Sequence, residues 1–158
     1  MMLKEELFKY IRSKGLTLAI AESCTGGMIG ATITSFSGAS SFFKGGAIVY
    51  SNELKTDVLG IPSSILEEHG AVSYENAYEM AVRTVRIFNS DLSIAVTGIA
   101  GPEGGTEFKP VGSVFTAVSD GITTDVREHH FPGSRENVRY ASVEAAFEHL
   151  GDLLENRI

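Results

Sequence analysis

The chain has 158 residues, 43% of them hydrophobic, which is enough for one well-buried core and fits a single domain over residues 1–158. Its 13 basic and 20 acidic residues give a formal charge of −7, which argues against a general nucleic-acid or membrane-surface role but leaves room for a small basic pocket holding one phosphate. Cys24 is the only cysteine, so an internal disulfide is excluded; no apolar run approaches the roughly 20 residues that span a bilayer, the acidic, amphipathic start is unlike a signal sequence, and a cytoplasmic setting is expected.

Taken in order, Leu3, Leu7 and Ile11 mark one face of an opening helix that stops at Gly15. Leu18, Ala19, Ile20 and Ala21 read as a short buried strand that ends at Ser23, Cys24, Thr25, Gly26 and Gly27, and residues 28–36 have the composition of a following helix. A Gly/Ser-rich connection leads to a second strand at 46–50, and Ser51 opens a helix carrying Asn52 and Lys55. Pro62 suits a helix start, Gly70 a helix end, and Ser73 caps a helix whose Ala77, Ala81, Val85 and Phe88 share a face. Residues 92–97 make a third strand, which runs into the longest glycine-rich loop of the chain, 98–106. Strands at 112–118 and 123–131 are separated by an Asp120-Gly121 hairpin signal. Ser134 then caps a closing helix in which Tyr140, Val143, Phe147, Leu150 and Leu154 repeat at helical spacing and lie against the sheet. This alternation predicts a three-layer α/β/α sandwich with a mixed, mainly parallel sheet and a C-terminal antiparallel hairpin.

In an α/β sheet, ligands sit in the crevice at the carboxyl ends of the strands. Three such ends carry polar groups here: Ser23 after the first strand, Tyr50, Ser51 and Asn52 with Lys55 after the second, and Thr97 before the glycine loop. If the strands run parallel, all three sets can touch one ligand. A serine is a weak nucleophile until a base removes its proton, and a lysine whose pKa is lowered by burial can do that. The small residues Gly26 and Gly27 let a substrate approach the backbone, while amides at the helix start attract an anion or a developing oxyanion. The loop with Gly98, Gly101, Gly104 and Gly105 can present amides to a phosphate or carboxylate, with Lys109, Arg135 and Arg139 supplying positive charge. It matches neither a P-loop nor a dinucleotide fingerprint.

Each feature also has a plainer reading. Gly26-Gly27 is then a tight turn with Ser23 or Thr25 as an N-cap, Lys55 a solvated surface residue, and the glycine loop a flexible lid flanked by ordinary surface cations. Glu22 either orients a catalytic group or pairs with a structural cation. Cys24 either competes with Ser23 as nucleophile or packs as a small apolar residue. His129 and His130 are neighbours on a predicted strand and face opposite ways, and His69 and His149 belong to no ligand pattern, so no metal site is expected.

The motifs AESCTGG (21–27), GGAIVYSNELK (45–55), HGAVS (69–73), VTGIAGPEGGT (96–106), KPVG (109–112) and FPGSR (131–135) resemble the CinA carboxy-terminal domain family, whose members include nicotinamide-nucleotide amidohydrolases. The resemblance implies hydrolysis of nicotinamide mononucleotide to nicotinic acid mononucleotide and ammonia in pyridine-nucleotide salvage, with no metal or other cofactor and with assembly as a homo-oligomer. It implies Ser23 as nucleophile and Lys55 as its base, with Tyr50 and Thr97 beside them. The implied substrate contacts are Cys24, Thr25, Gly26 and Gly27 at the oxyanion, Asn52, and the phosphate-binding set of Gly98, Gly101, Gly104, Gly105, Arg135 and Arg139. The stand-alone form is expected, without the additional amino-terminal domain of full-length members. The rival expectations are a non-catalytic nucleotide-binding module of the same fold and an amidase with Cys24 as nucleophile.

Overall fold

The caps and apolar runs become helices and strands in the computed structural model, which describes residues 2–156. In chain order these are α1 (Lys4–Ser13), β1 (Leu18–Glu22), α2 (Met28–Thr34), β2 (Phe43–Ile48), α3 (Asn52–Leu59), α4 (Ser63–His69), α5 (Tyr74–Ile87), β3 (Leu92–Gly98), β4 (Ser113–Ser119), β5 (Thr124–His130) and α6 (Arg135–Glu155). The strands form one sheet in the order β2-β1-β3-β4-β5. β1 pairs parallel with β2 and with β3, whereas β4 pairs antiparallel with β3 and with β5, so β4 alone runs against the rest.

Side chains alternate across a strand, and here the alternation divides the core into two layers. Leu18, Ile20, Leu92, Ile94, Val96, Val114 and Val118 face α1, α2 and α6, where Leu7, Ile11, Ile29, Ile33, Phe147 and Leu150 cover them. Ala21, Ala95, Phe115 and Ala117 face α3, α4 and α5, and Leu59, Leu66, Ala77, Met80 and Ala81 close that side. Burying each large apolar side chain contributes about 1.5–3 kcal/mol. The result is the α/β/α sandwich with its terminal hairpin. Ser51, Ser73 and Ser134 each accept a backbone amide three residues on, so the helix starts that border the strand ends are set by local chemistry.

Beyond one-residue shifts at the ends of other strands, several expectations change; Leu3, expected on the apolar face of the opening helix, precedes α1 and is exposed. The second strand lies at Phe43–Ile48 rather than 46–50, because its register is set by Phe43 opposite Leu18 and Ile48 opposite Glu22, where β1 ends. Val49 donates one further amide to the Glu22 carbonyl at 2.8 Å, and the chain then leaves the sheet for α3. α2 stops at Thr34, where the Ser35 cap turns the chain toward β2. Tyr140 is 57% exposed, outside the buried stripe of α6; Val138 and Ser142 are buried instead, beside Val143, Phe147, Leu150 and Leu154 as expected.

α6 is also tied to the sheet by a partly buried polar chain. His149, fully buried, pairs its Nε2 with Asp125 Oδ2 at 2.8 Å and its Nδ1 with Thr116 Oγ1 at 2.8 Å, and the same hydroxyl meets His129 Nε2 at 2.9 Å. Burial pushes the His149 pKa down to about 4, outweighing the hydrogen bond it donates to Asp125, which favours the charged ring.

Candidate active site

At the end of β1 the alternation sends Glu22 toward α2 and Ser23 toward α3. The Glu22 carboxylate, 1% exposed, accepts from the Thr25 hydroxyl at 2.6 Å and from the amides of Gly27, Ile29 and Gly30 at 3.2, 2.9 and 3.1 Å. These are amides that a helix leaves without internal partners, at the positive end of its dipole. Gly27 begins this turn with φ of +111°, a conformation that a side chain rarely adopts. The protein's own carboxylate therefore holds the anion position that the sequence suggested for a substrate. The Gly26 amide donates to the Ser23 carbonyl at 3.1 Å, and the amides of Cys24 and Thr25 remain outside these bonds. Arg139 braces the same turn, donating Nε to the Cys24 carbonyl and Nη2 to the Thr25 carbonyl, each at 3.1 Å.

Lys55 stands one turn into α3 and is 1% exposed. Its Nζ lies 3.1 Å from Ser23 Oγ, 2.8 Å from the Val49 carbonyl and 3.0 Å from the Tyr50 carbonyl. Both carbonyls are available because β2 has already ended. Burial pushes the Lys55 pKa down to about 8, against a smaller upward pull from Cys24. A neutral amine has two N–H groups and one lone pair, so with both carbonyls occupied the lone pair faces the serine hydroxyl. Burial also pushes the Cys24 thiol up to about 11, which keeps it protonated and weakly nucleophilic at neutral pH.

A cavity of about 150 Å³ opens over this pair, and Ser23, Cys24, Tyr50, Lys55, Thr97, Gly98 and Arg135 all line it, together with Ala71, Val72 and Ala100. Thr97 donates its hydroxyl proton to the Ala71 carbonyl at 2.9 Å. Arg135 crosses the mouth, with Nη1 donating to the Gly101 carbonyl at 2.8 Å and Nη2 to the Tyr50 hydroxyl at 3.3 Å. Gly98 packs against β4 so closely that a Cβ would come within 2.7 Å of Val114. Gly104 and Gly105 are exposed in the loop beyond. Lys109 turns away and donates to the His69 carbonyl at 2.6 Å. Asn52 lines a different hollow of about 380 Å³, on the outer side of α3 and α4 with Glu53, Asp57 and Glu67, which contains no nucleophile paired with a base. The wall residues Ala71, Val72 and Ala100 and the two carbonyls that hold Lys55 were not singled out in the sequence; HGAVS was the one motif pointing to the first two.

A profile of the CinA C-terminal domain matches residues 1–154. The chain belongs to the CinA C-terminal domain family. A CinA-like protein of Syntrophus aciditrophicus is 52% identical over 137 residues, which are 86% of this chain and 33% of that protein. A CinA-like protein of Citrifermentans bemidjiense is 47% identical over 153 residues, 97% of this chain and 37% of the relative. The chain therefore spans about a third of the length of these relatives. Among solved structures, the competence damage-inducible protein A (ComA) of Klebsiella pneumoniae matches at a TM-score of 0.93 and 32% identity, over 96% of this chain and 94% of that one. The competence/damage inducible protein CihA of Agrobacterium tumefaciens matches at 0.89 and 36%, over 97% and 99%. Among the described residues of this CinA domain no helix is long and apolar enough to cross a membrane.

Proposed function

We propose that this CinA domain is a nicotinamide-nucleotide amidase that hydrolyses the carboxamide of nicotinamide mononucleotide through a Ser23–Lys55 pair. The observation that carries this reading is the 3.1 Å approach of a buried, carbonyl-held lysine amine to a serine hydroxyl in the wall of a cavity. The neutral Lys55 amine takes the Ser23 proton as Oγ attacks the carboxamide carbon, and the Cys24 and Thr25 amides are the donors nearest in the chain to the oxyanion that forms. Lys55 passes the proton to the departing nitrogen, which leaves as ammonia and frees an acyl-Ser23 ester. Water attacks that ester, Lys55 again receives the proton and returns it to Ser23 Oγ, and nicotinic acid mononucleotide departs.

The cavity is smaller than the about 300 Å³ at which pockets for whole drug-sized ligands begin, so the ring and its carboxamide are the part that enters. The ribose and phosphate then pass Tyr50 and Arg135 toward the glycine loop, where Arg135 can exchange the Gly101 carbonyl for a phosphate. A cytoplasmic setting and a homo-oligomeric assembly accompany this reading. Purified protein incubated with nicotinamide mononucleotide should release ammonia and the acid mononucleotide in equal amounts, and the Ser23→Ala variant should release neither. No release above that variant refutes the activity, and tight binding without turnover makes the domain a nucleotide-binding module.

A further inference from the structure

One buried side chain behind the cavity is only half satisfied. Asn76, fully buried on α5, donates Nδ2 to the Ala71 carbonyl at 2.7 Å, while its Oδ1 has no hydrogen-bond partner. An orphaned buried acceptor is destabilising, so an apolar residue would serve packing better at this position. What the asparagine supplies is the donor. The Ala71 carbonyl it holds is the one that receives the Thr97 hydroxyl proton at 2.9 Å, and Ala71 and Thr97 both line the cavity. A hydroxyl has one proton and two lone pairs. With that proton fixed on Ala71, Thr97 shows the cavity an oxygen that can only accept.

We propose that Asn76 is a positioning residue that holds the Ala71 carbonyl so that Thr97 becomes an acceptor-only wall, selecting a reacting group that bears N–H and turning away its acid or ester. This rests on the amidase reading above and adds the basis of its selectivity. A carboxamide offers the –NH2 donor that such a wall needs, and the nitrogen remains a donor as it leaves. The carboxylate product has only acceptor oxygens at the same place, where lone pair meets lone pair, so the wall favours product release. Sites built to receive a substrate N–H or O–H reject analogues lacking it strongly, because the site's own polar group is then left unpaired.

The test compares nicotinamide mononucleotide with the methyl ester of nicotinic acid mononucleotide, which reacts at the same carbon without an N–H. In Asn76→Ala, kcat/KM for the amide should fall about tenfold or more while that for the ester stays within about twofold, and inhibition by the acid product should strengthen. A general structural role would lower both substrates together, and an unchanged amide-to-ester ratio overturns the proposal. Should Asn76→Ala not fold, Thr97→Val decides the matter: it keeps the shape, removes the acceptor and should collapse the same ratio, with Thr97→Ser restoring it. Wild-type protein that hydrolyses neither compound overturns the amidase reading and this one with it, whereas amide hydrolysis with an insensitive ratio overturns this one alone.

Discussion

Glu22 and Ser23 are adjacent in the chain and lie on opposite faces of the sheet: the carboxylate takes the amides of Gly27, Ile29 and Gly30 at the start of α2 and the Thr25 hydroxyl, while the serine hydroxyl meets Lys55 at 3.1 Å. The period of two along a strand separates them, so the carboxylate that builds the turn stays clear of the serine hydroxyl. Arg139 holds the turn's carbonyls from the α6 side. Ser23 thus sits at the start of a turn held by charge-assisted hydrogen bonds.

Glu22→Gln keeps the shape but sets an NH2 against an amide donor and removes the charge that complements the helix dipole. It should lower stability by about 1–3 kcal/mol, seen as a fall of about 5 °C in Tm, and reduce kcat because Ser23 is no longer held. Unchanged thermal unfolding would show that the turn is held by other contacts.

Lys55 must lose a proton before it can accept one from Ser23. With its pKa near 8, the rate should climb with pH up to that value and level off above it, and a profile flat from pH 6 to 9 would contradict the assignment. Lys55→Ala should lower kcat by about 10²–10⁴ with little change in KM, since a base acts in the transition state. Lys55→Arg should be equally impaired, because a guanidinium stays charged.

Burial keeps the Cys24 thiol protonated up to about pH 11, so it is a poor rival to Ser23. Cys24→Ala should keep kcat within about threefold of wild type, whereas Ser23→Ala should abolish turnover. The opposite pattern, measured as ammonia release, would move the nucleophile by one residue.

His149 links α6 to the hairpin as a neutral ring among Thr116, His129, Asp125 and Arg127. The unfolded chain takes up this proton near pH 6.5, the folded one only near pH 4, so stability present above about 6.5 is lost as the pH falls through that window, by up to about 3 kcal/mol. Urea unfolding between pH 7.5 and 4.5 should show the loss, and His149→Gln should flatten it while lowering stability at neutral pH.

Much of this was legible in the residues. Ser51, Ser73 and Ser134 marked helix starts because capping is a contact between residues three apart. The helical spacing of Val143, Phe147, Leu150 and Leu154 carried one face of the core, and the motifs carried the family. Other features were not legible. Glu22 had no visible target until α2 folded back onto β1, and Asn52, one residue inside α3, turned out to line another hollow.

By itself the sequence determined the order of elements, the caps, the core faces and the family, since each depends on the spacing of neighbours along the chain. The tertiary structure alone decided that Lys55 is buried, that the carbonyls of Val49 and Tyr50 hold it, and that it meets a serine 32 positions earlier. The physical reason is that a lysine's basicity depends on the solvent it has lost, and that loss follows from the parallel register of β1, β2 and β3, which no local pattern encodes.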